Sequence, residues 1–535
     1  MKIRQFKLIL LILLLSFPFI RCEEKLDEFG PLGNLDAATF YNTETDFEAA
    51  SLAPYSTLLN LYYDQNGRGW FQVMLFPSDD VRNNRGNNDR EQFNWLPTDG
   101  EISYLWDEVY KGIMRANVVL DRLPEADGFN NPDNKARFEA EAKFMRAYFN
   151  FILARTFGNP PIVKELVQDV SSTNIPSSEP GEIWNFIIED LEFAKNNLPG
   201  SWSGNNVGRA TSWAAKAFLG KVYLYRAQWD NNNSFYDQAI SELSDVVDNG
   251  PFMLVDDFGN NFRIATENNA ESVFEIQFSR GDFNPWLSTD NSSQIGAATT
   301  GRKIFTAASC DEGECAPGAN SRGYGQVHVT QPLQEEFEPN DPRRPLSIFL
   351  DGDIYSDQGE PFSSSWSITG STPAKYIKPF ENSGFPNNVF TNNERIIRYS
   401  DVLLMLAEAQ LLGPGNVSRA AELINMVRER ARNNWELYSE DPRPDNLLPD
   451  VPSDLSVDEM FDALMHERRV ELAMEVHRYD DLVRWHRGGL INIPTDIDFG
   501  NTLANQNWEE KHLLRPIPQG ELDLNSNLDQ NEGYE

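Results

Sequence analysis

Basic residues are scarce in this chain of 535 residues. Lys and Arg number 46 against 82 Asp and Glu, which gives a formal net charge of −36 at pH 7. A protein that neutralises nucleic-acid phosphates needs an excess of Lys and Arg, so the composition argues against nucleic-acid binding. The same scarcity disfavours adhesion to an anionic membrane surface through a basic patch. Strong acidity by itself indicates only solubility.

Long apolar runs are also absent, apart from one at the amino terminus. A basic start precedes the apolar run Leu8–Ile20, which is shorter than the roughly 20 residues of a membrane-spanning helix and has the layout of an export signal. The run ends at Arg21-Cys22, a position typical of a lipoprotein signal whose cysteine receives the lipid. We predict a signal peptide over 1–21 and a lipidated tether over 22–45. The alternative is an ordinary signal peptide followed by an incidental cysteine.

Cysteine is rare as well. Only Cys310 and Cys315 remain beside Cys22, and they flank Asp-Glu-Gly-Glu. In an exported chain we expect these two to form a local disulfide. A metal site is the alternative, although two ligands are too few for one.

Catalytic motifs are missing. His466-Glu467 lacks the second histidine of a zinc-protease motif, and neither a Gly-x-Ser-x-Gly elbow nor a phosphate-binding Gly-Lys loop occurs. We therefore predict no catalytic residue, no metal and no cofactor. Paired carboxylates of the kind used in glycoside hydrolysis stay open, because 82 acidic residues neither exclude such a pair nor point to one.

Helical periodicity is what the sequence has in abundance. Apolar residues spaced by three and four predict helices over Asp46–Leu61, Tyr104–Leu123, Ala136–Phe157, Pro180–Asn197, Ser212–Gln228, Tyr236–Val247, Asp401–Leu412 and Ser418–Asn433. Thr211 is placed to cap one helix, and Gly158 and Gly250 are placed to stop two others. Two adjacent pairs, 212–228 with 236–247 and 401–412 with 418–433, resemble tetratricopeptide-like units. Stacked pairs of this kind form an α-solenoid, so the predicted fold class is mainly α.

Two irregular segments interrupt the helices. Tyr62–Gly100 is rich in Asn, Asp, Gly and Arg, and Phe252–Glu394 is dominated by Gly, Pro, Ser, Thr and Asn. Loops of this length are usually functional. We divide the chain into a helical half (46–251), a loop-rich insertion (252–394) and a second helical half with an irregular tail (395–535).

A single helix is predicted over Asp458–Arg487, and it is unusually rich in charge. Its residues could pair at helical spacings, Arg468 with Glu471, Glu475 with Arg478 and Asp480 with Arg484. One interpretation is an anion-binding site. We favour a structural ion-pair network that locks the helix into the core.

Part of this helix carries a family resemblance. Glu467–Arg484 is similar to the most recognisable helix of the SusD/RagB family of outer-membrane nutrient-binding lipoproteins. Three other segments match further family motifs in the family's order: Glu141–Val163, Arg398–Ala409 and Leu514–Tyr534. The resemblance covers nearly the whole mature chain. Arg21 before the lipid cysteine and the Cys310–Cys315 loop depart from the family's usual pattern.

The resemblance implies a fold, a location and a partner. The fold would be four tetratricopeptide-like helix pairs beside a loop-rich region that binds glycan. The protein would be lipid-anchored at the outer membrane, face the cell exterior and cover a SusC-like TonB-dependent transporter. Members of the family capture oligo- or polysaccharides and are not catalytic. Binding of peptides or protein fragments is the alternative, and a surface glycoside hydrolase is a more distant one.

We expect the ligand site where the Tyr62–Gly100 loop meets the Phe252–Glu394 insertion. Aromatic rings pack against the apolar faces of sugars, and charged side chains make strong hydrogen bonds to hydroxyls. Trp286 is the first candidate because its segment has no helical or strand period. The other candidates are Trp95, Trp70, Tyr324, Trp366, Asp80 and Arg82. The alternative for each tryptophan is packing beneath a loop.

Overall fold

The computed structural model describes residues 40–62, 73–83, 89–167, 174–278, 327–355, 359, 361–376 and 392–535. The helices of the first half are α1 (Glu44–Ala50), α2 (Leu52–Tyr62), α3 (Gly100–Arg122), α4 (Asn134–Phe157), α5 (Glu182–Asn197), α6 (Ser212–Trp229) and α7 (Ser234–Asn249). The insertion contains α8 (Gln331–Glu336) and α9 (Arg344–Ser347). The second half contains α10 (Tyr399–Leu412), α11 (Val417–Asn433), α12 (Trp435–Tyr438), α13 (Val457–Glu471), α14 (Arg478–Arg487), α15 (Ile493–Asp496), α16 (Thr502–Asn507) and α17 (Gln519–Leu524).

Eight of these helices form four sequential pairs: α2 with α3, α4 with α5, α6 with α7 and α10 with α11. Each pair also packs on the next, through α3 on α4, α5 on α6 and α7 on α10. A helix buries its apolar stripe only against a neighbour, so stacking the pairs builds one continuous core. The predicted tetratricopeptide-like α-solenoid is confirmed, including the pairs 212–228 with 236–247 and 401–412 with 418–433.

Several predicted helix ends are confirmed by local chemistry. The Thr211 hydroxyl accepts a hydrogen bond from the Ala214 N–H at 3.0 Å and caps α6. Gly158 ends α4 with a φ of +78°, a conformation that glycine adopts without strain.

The prediction of one helix over 46–61 is wrong, because α1 ends at Ala50 and α2 begins at Leu52. Pro54 explains the break, since its ring excludes a helical bond to the carbonyl of Ala50.

The prediction of one helix over 458–487 is also wrong. α13 ends at Glu471 and α14 begins at Arg478. Between them, Met474 and Val476 have φ values of +65° and +62°, which no right-handed helix accommodates. The break keeps the side chains of Glu471 and Glu475 buried, and both carboxylates pair with Arg398.

Six short strands form three antiparallel pairs within the described ranges: β1 (Val81–Asn83) with β3 (Val327–Val329), β2 (Ser272–Ile276) with β6 (Glu394–Arg398), and β4 (Ile348–Phe349) with β5 (Thr372–Pro373). The β2–β6 pair joins the beginning of the insertion to its end. The insertion therefore leaves the solenoid after α7 and returns at α10, and these two helices pack directly on each other. Among the described residues, no helix combines the length and apolar character needed to cross a bilayer.

Candidate functional site

The two irregular segments meet in the structure, as predicted. β1 belongs to the first segment and β3 to the insertion, and they pair antiparallel with Arg82 opposite His328. The Val329 N–H donates to the Ser371 carbonyl at 3.1 Å, which brings the 361–376 segment against the same strand pair. Two predicted site residues, Arg82 and Trp366, thus lie in neighbouring parts of one substructure.

Trp366 forms an aromatic surface together with Tyr355. The two rings are half-buried, with centroids 5.6 Å apart and planes at 70°. Both rings pack on the buried Phe362, and Tyr355 also packs on Phe349. We call Tyr355 and Trp366 the aromatic platform. Because its base is packed, the platform presents partly exposed ring surface without needing to rearrange.

Exposed aliphatic residues adjoin the platform. Ile354 is 48% exposed and Ile368 is 58% exposed. Ile354 directly precedes Tyr355 in the chain, and Ile368 lies two residues after Trp366. Apolar and aromatic surface of this kind suits a ligand with apolar faces.

Polar groups connect the platform to the strand pair. The Ser367 hydroxyl lies 2.8 Å from His328 Nδ1, and His328 is fully buried. Across the strands, the half-buried Arg82 donates to the Gly500 carbonyl at 3.0 Å, and its Nε lies 3.4 Å from Glu91. Burial raises the pKa of Glu91, even though the Asn83 N–H donates to it and Arg82 lies near. Among the residues that the structure describes, the platform and Arg82 are thus the candidates for contacting a polyhydroxylated ligand.

Trp95, another of the candidate ligand contacts, is buried, and the structure does not offer it to a ligand. Its side chain is 4% exposed, and its indole N–H donates to the Arg90 carbonyl at 3.1 Å. The Arg515 guanidinium stacks 3.7 Å from the ring centroid, and Phe93 packs against it. Packing beneath a loop, the alternative considered from the sequence, describes Trp95 in this structure.

Asp80 is likewise buried and engaged with the protein itself. Its carboxylate is 3.1 Å from Arg469 Nε. Burial raises the pKa of Asp80 to about 6 even though Arg469 opposes the shift. Its role is to hold β1 to α13, so we do not retain it as a ligand contact.

Trp70, Trp286 and Tyr324 lie outside the described residues, as do Cys22, Cys310 and Cys315. Their predicted roles stay predictions. Tyr355 is the residue that sequence reasoning passed over in favour of Trp366. Its only signal was its place among the aromatics of the insertion, and the pairing of the two rings becomes visible only in three dimensions.

The charged helix region is a structural network, as favoured from the sequence, but its pairs are not those predicted. Glu471 accepts from Arg343 at 2.9 Å, from Arg398 at 2.6 Å and from Arg430. The other predicted members pair across elements: Arg468 with Asp401 and Asp481, Glu475 with Arg398 and Lys375, Arg478 with Asp79, Asp480 with Arg155, and Arg484 with Glu408. Arg484 also pairs with Asp481 within α14. Because most of these groups are buried, they connect the helical halves to the insertion rather than face a ligand.

Comparisons with known proteins agree with this architecture. A sequence profile described as the SusD family matches residues 270–534, and a profile described as starch-binding associating with outer membrane matches residues 72–224. A SusD-like protein of Formosa agariphila is 26% identical over 97% of this chain and 96% of its own length. A SusD-like protein of Bacteroides ovatus is 27% identical over 88% of this chain and 80% of its own.

Solved structures match along most of the chain. A laminarin binding SusD-like protein has a TM-score of 0.73 at 26% identity and covers 92% of this chain and 100% of its own. A SusD superfamily protein from Bacteroides vulgatus has a TM-score of 0.72 at 26% identity with the same coverage. From the two profiles, the relatives and the shared fold, the chain belongs to the SusD/RagB family.

Proposed function

We propose that this protein is a cell-surface glycan-binding lipoprotein that captures oligo- or polysaccharides and delivers them to a SusC-like TonB-dependent transporter. The observation that carries the proposal is the aromatic platform of Tyr355 and Trp366, beside the strand pair that contains Arg82. The laminarin binding relative supports a carbohydrate ligand. The profile that covers the first half supports a location at the outer membrane.

The chemistry of the platform suits a sugar chain. The apolar face of a pyranose ring gains dispersion and desolvation energy from the flat face of a single aromatic ring. The hydroxyl edges of the ring need hydrogen-bonding partners, and a guanidinium such as that of Arg82 donates charge-assisted hydrogen bonds. A platform at the surface also accommodates a long chain that passes over it, whereas a closed pocket would require a chain end.

The test is a titration of the purified protein with laminarin first and then with a panel of other polysaccharides. Trp366→Ala is expected to weaken binding of the recognised glycan about tenfold or more, since each factor of ten is about 1.4 kcal/mol. Trp435→Ala is the matched control, because Trp435 is also half-buried but packs on Leu447 and Leu448, away from the platform. A folded Trp366→Ala protein that binds as tightly as wild type contradicts the assignment.

Binding without hydrolysis is part of the proposal. Incubation with the recognised polysaccharide is expected to release no new reducing ends. If no glycan binds and a peptide mixture is retained instead, the peptide-binding alternative replaces the proposed ligand class.

A further inference from the structure

A concave site lies apart from the platform residues. It is a pocket of about 220 Å³ between the loop that joins α5 to α6 and the segment that leads into β2. Its aromatic lining comprises Trp202, Phe252 and Phe274, and its polar lining includes Ser201, Asn268 and Glu275. The volume is below the roughly 300–1,000 Å³ of sites for drug-sized ligands and several times the about 30 Å³ of one water molecule. The pocket therefore suits one small ring-shaped molecule.

Trp202 is a preorganised wall of this pocket. Its indole N–H donates to the Ala210 carbonyl at 2.8 Å, and the Arg209 guanidinium lies 4.9 Å from the ring centroid. These contacts fix the half-buried ring, so binding a flat ligand against it would cost little side-chain entropy.

Glu275 supplies a buried acceptor in the lining. Its Oε2 accepts from the Asn268 N–H at 3.2 Å and from Asn393 Nδ2 at 3.0 Å. Its Oε1 lies 3.4 Å from Arg395 Nε, longer than the ~2.7–2.9 Å of a good charge-assisted hydrogen bond. Since a carboxylate has about four acceptor sites, Oε1 keeps the capacity to accept from a ligand hydroxyl.

The charges in the lining argue for a neutral ligand. Arg209 is the cationic residue among those that line the pocket, and its guanidinium is committed to Glu141 at 2.7 Å and to Glu48 at 2.6 Å. An anion would find no uncommitted guanidinium there and would approach the Glu275 carboxylate. A neutral polyol would use the same carboxylate as an acceptor.

We propose that this pocket binds a single neutral pyranose unit and forms a second carbohydrate site in addition to the aromatic platform. The proposal rests on the proposed function for the choice of carbohydrate as the ligand class. The ring-sized volume, the fixed indole and the hydroxyl acceptor are properties of the pocket itself.

The experiment is saturation-transfer difference NMR of the whole protein with D-glucose, D-galactose and D-mannose, each added separately. Two variants block the pocket from exposed lining positions, Ala270→Trp and Ser201→Trp. Ala265→Trp is the matched control, since Ala265 is exposed nearby but does not line the pocket. We expect at least one hexose to give a signal with wild type and with Ala265→Trp, and the signal to fall at least fivefold in both blocked variants. Thermal melting checks that each variant is folded.

The same series separates the two proposals. The hexose signal is expected to survive in Trp366→Ala, whatever that variant does to polysaccharide binding. The pocket proposal is overturned if wild type gives no signal with any of the three hexoses, if the folded blocked variants keep the signal, or if Trp366→Ala alone removes it. Unchanged polysaccharide binding by Trp366→Ala contradicts the platform and leaves the pocket proposal standing.

Discussion

Glu471 shows at the scale of one residue how buried charge holds this protein together. Burial would raise the pKa of Glu471, but Arg430, Arg398 and Arg343 hold it well below its usual range. Glu471→Gln keeps the shape and removes the charge on which three guanidinium groups converge. We expect the free energy of unfolding to fall by about 3–5 kcal/mol, the usual cost of breaking a buried ion pair. Urea denaturation followed by circular dichroism measures the loss.

Glu436→Gln is the matched control for that substitution. Glu436 pairs with Arg443 at 2.7 Å on the surface, where solvent screens an ion pair and its contribution to stability is small. Equal losses for the two substitutions would contradict a structural role for the buried network. A Glu471→Gln protein with unchanged stability and lost glycan binding would make Glu471 a functional residue instead.

His477 predicts how stability depends on pH. Burial and Lys221 lower its pKa to about 4, although Asp401, Glu475 and Asp481 oppose the shift. Between pH 4 and 6.5 the unfolded chain binds a proton at His477 that the folded protein does not. The contribution of His477 to stability is therefore fully present above pH 6.5 and lost as pH falls towards 4.

The magnitude of this loss is about 3 kcal/mol for a shift from 6.5 to about 4. We expect His477→Gln to flatten the dependence of the unfolding free energy on pH over that window. Denaturation curves at pH 7.0, 5.5 and 4.5 for both proteins measure the difference. Parallel pH profiles for wild type and variant would show that another group dominates acid unfolding.

At the scale of elements, the packing of α6 on α7 depends on Gly220. A Cβ added at Gly220 would overlap the Leu243 side chain, so the two helices approach closely only because residue 220 has no side chain. Alanine favours a helix over glycine by up to about 1 kcal/mol, yet we expect Gly220→Ala to lower the melting temperature. Overpacking a core of this kind typically costs about 1–3 kcal/mol.

Gly520 provides the control for that prediction. It lies in α17, and a Cβ added there has no neighbour within 4 Å. Gly520→Ala should therefore leave the melting temperature unchanged or raise it slightly. If Gly220→Ala leaves the melting temperature unchanged or raises it, the close approach of α6 and α7 does not depend on glycine at position 220.

At the scale of the whole molecule, the net charge of −36 bears on how the protein is held at a membrane. Such a charge gives no general attraction to anionic lipid, and we predict that the lipid on Cys22 supplies the attachment. In cells that lack the transporter, Cys22→Ala is expected to move the protein from the outer-membrane fraction to the soluble fraction. It should also end incorporation of labelled fatty acid.

Cys310→Ala is the control for the anchor, since it also removes one cysteine but lies far along the chain from the signal. That variant should stay with the membrane. Cys22→Ala protein that still fractionates with the outer membrane in the absence of the transporter would contradict lipid attachment at this position.

The solenoid could be predicted from sequence because its signals are local. Apolar residues three and four apart, the Thr211 cap and the Gly158 stop act within one or two turns of chain, and α3 to α7, α10 and α11 all formed close to their predicted limits. The meeting of the first loop with the insertion was expected from sequence because both segments are long, polar and rich in aromatic residues. The first loop and the insertion meet where β1 pairs with β3.

The tertiary structure alone decided which partners the buried charges have and which way side chains such as that of Trp95 point. Glu471 pairs with arginines from the insertion, β6 and α11 rather than with Arg468 three residues earlier. The charged helix ends at Glu471, and Trp95 turns inward onto Arg515. Periodicity describes which residues share one face of an element. The partner of a buried charge or ring depends on which distant segments pack around it, and that packing is a property of the assembled core.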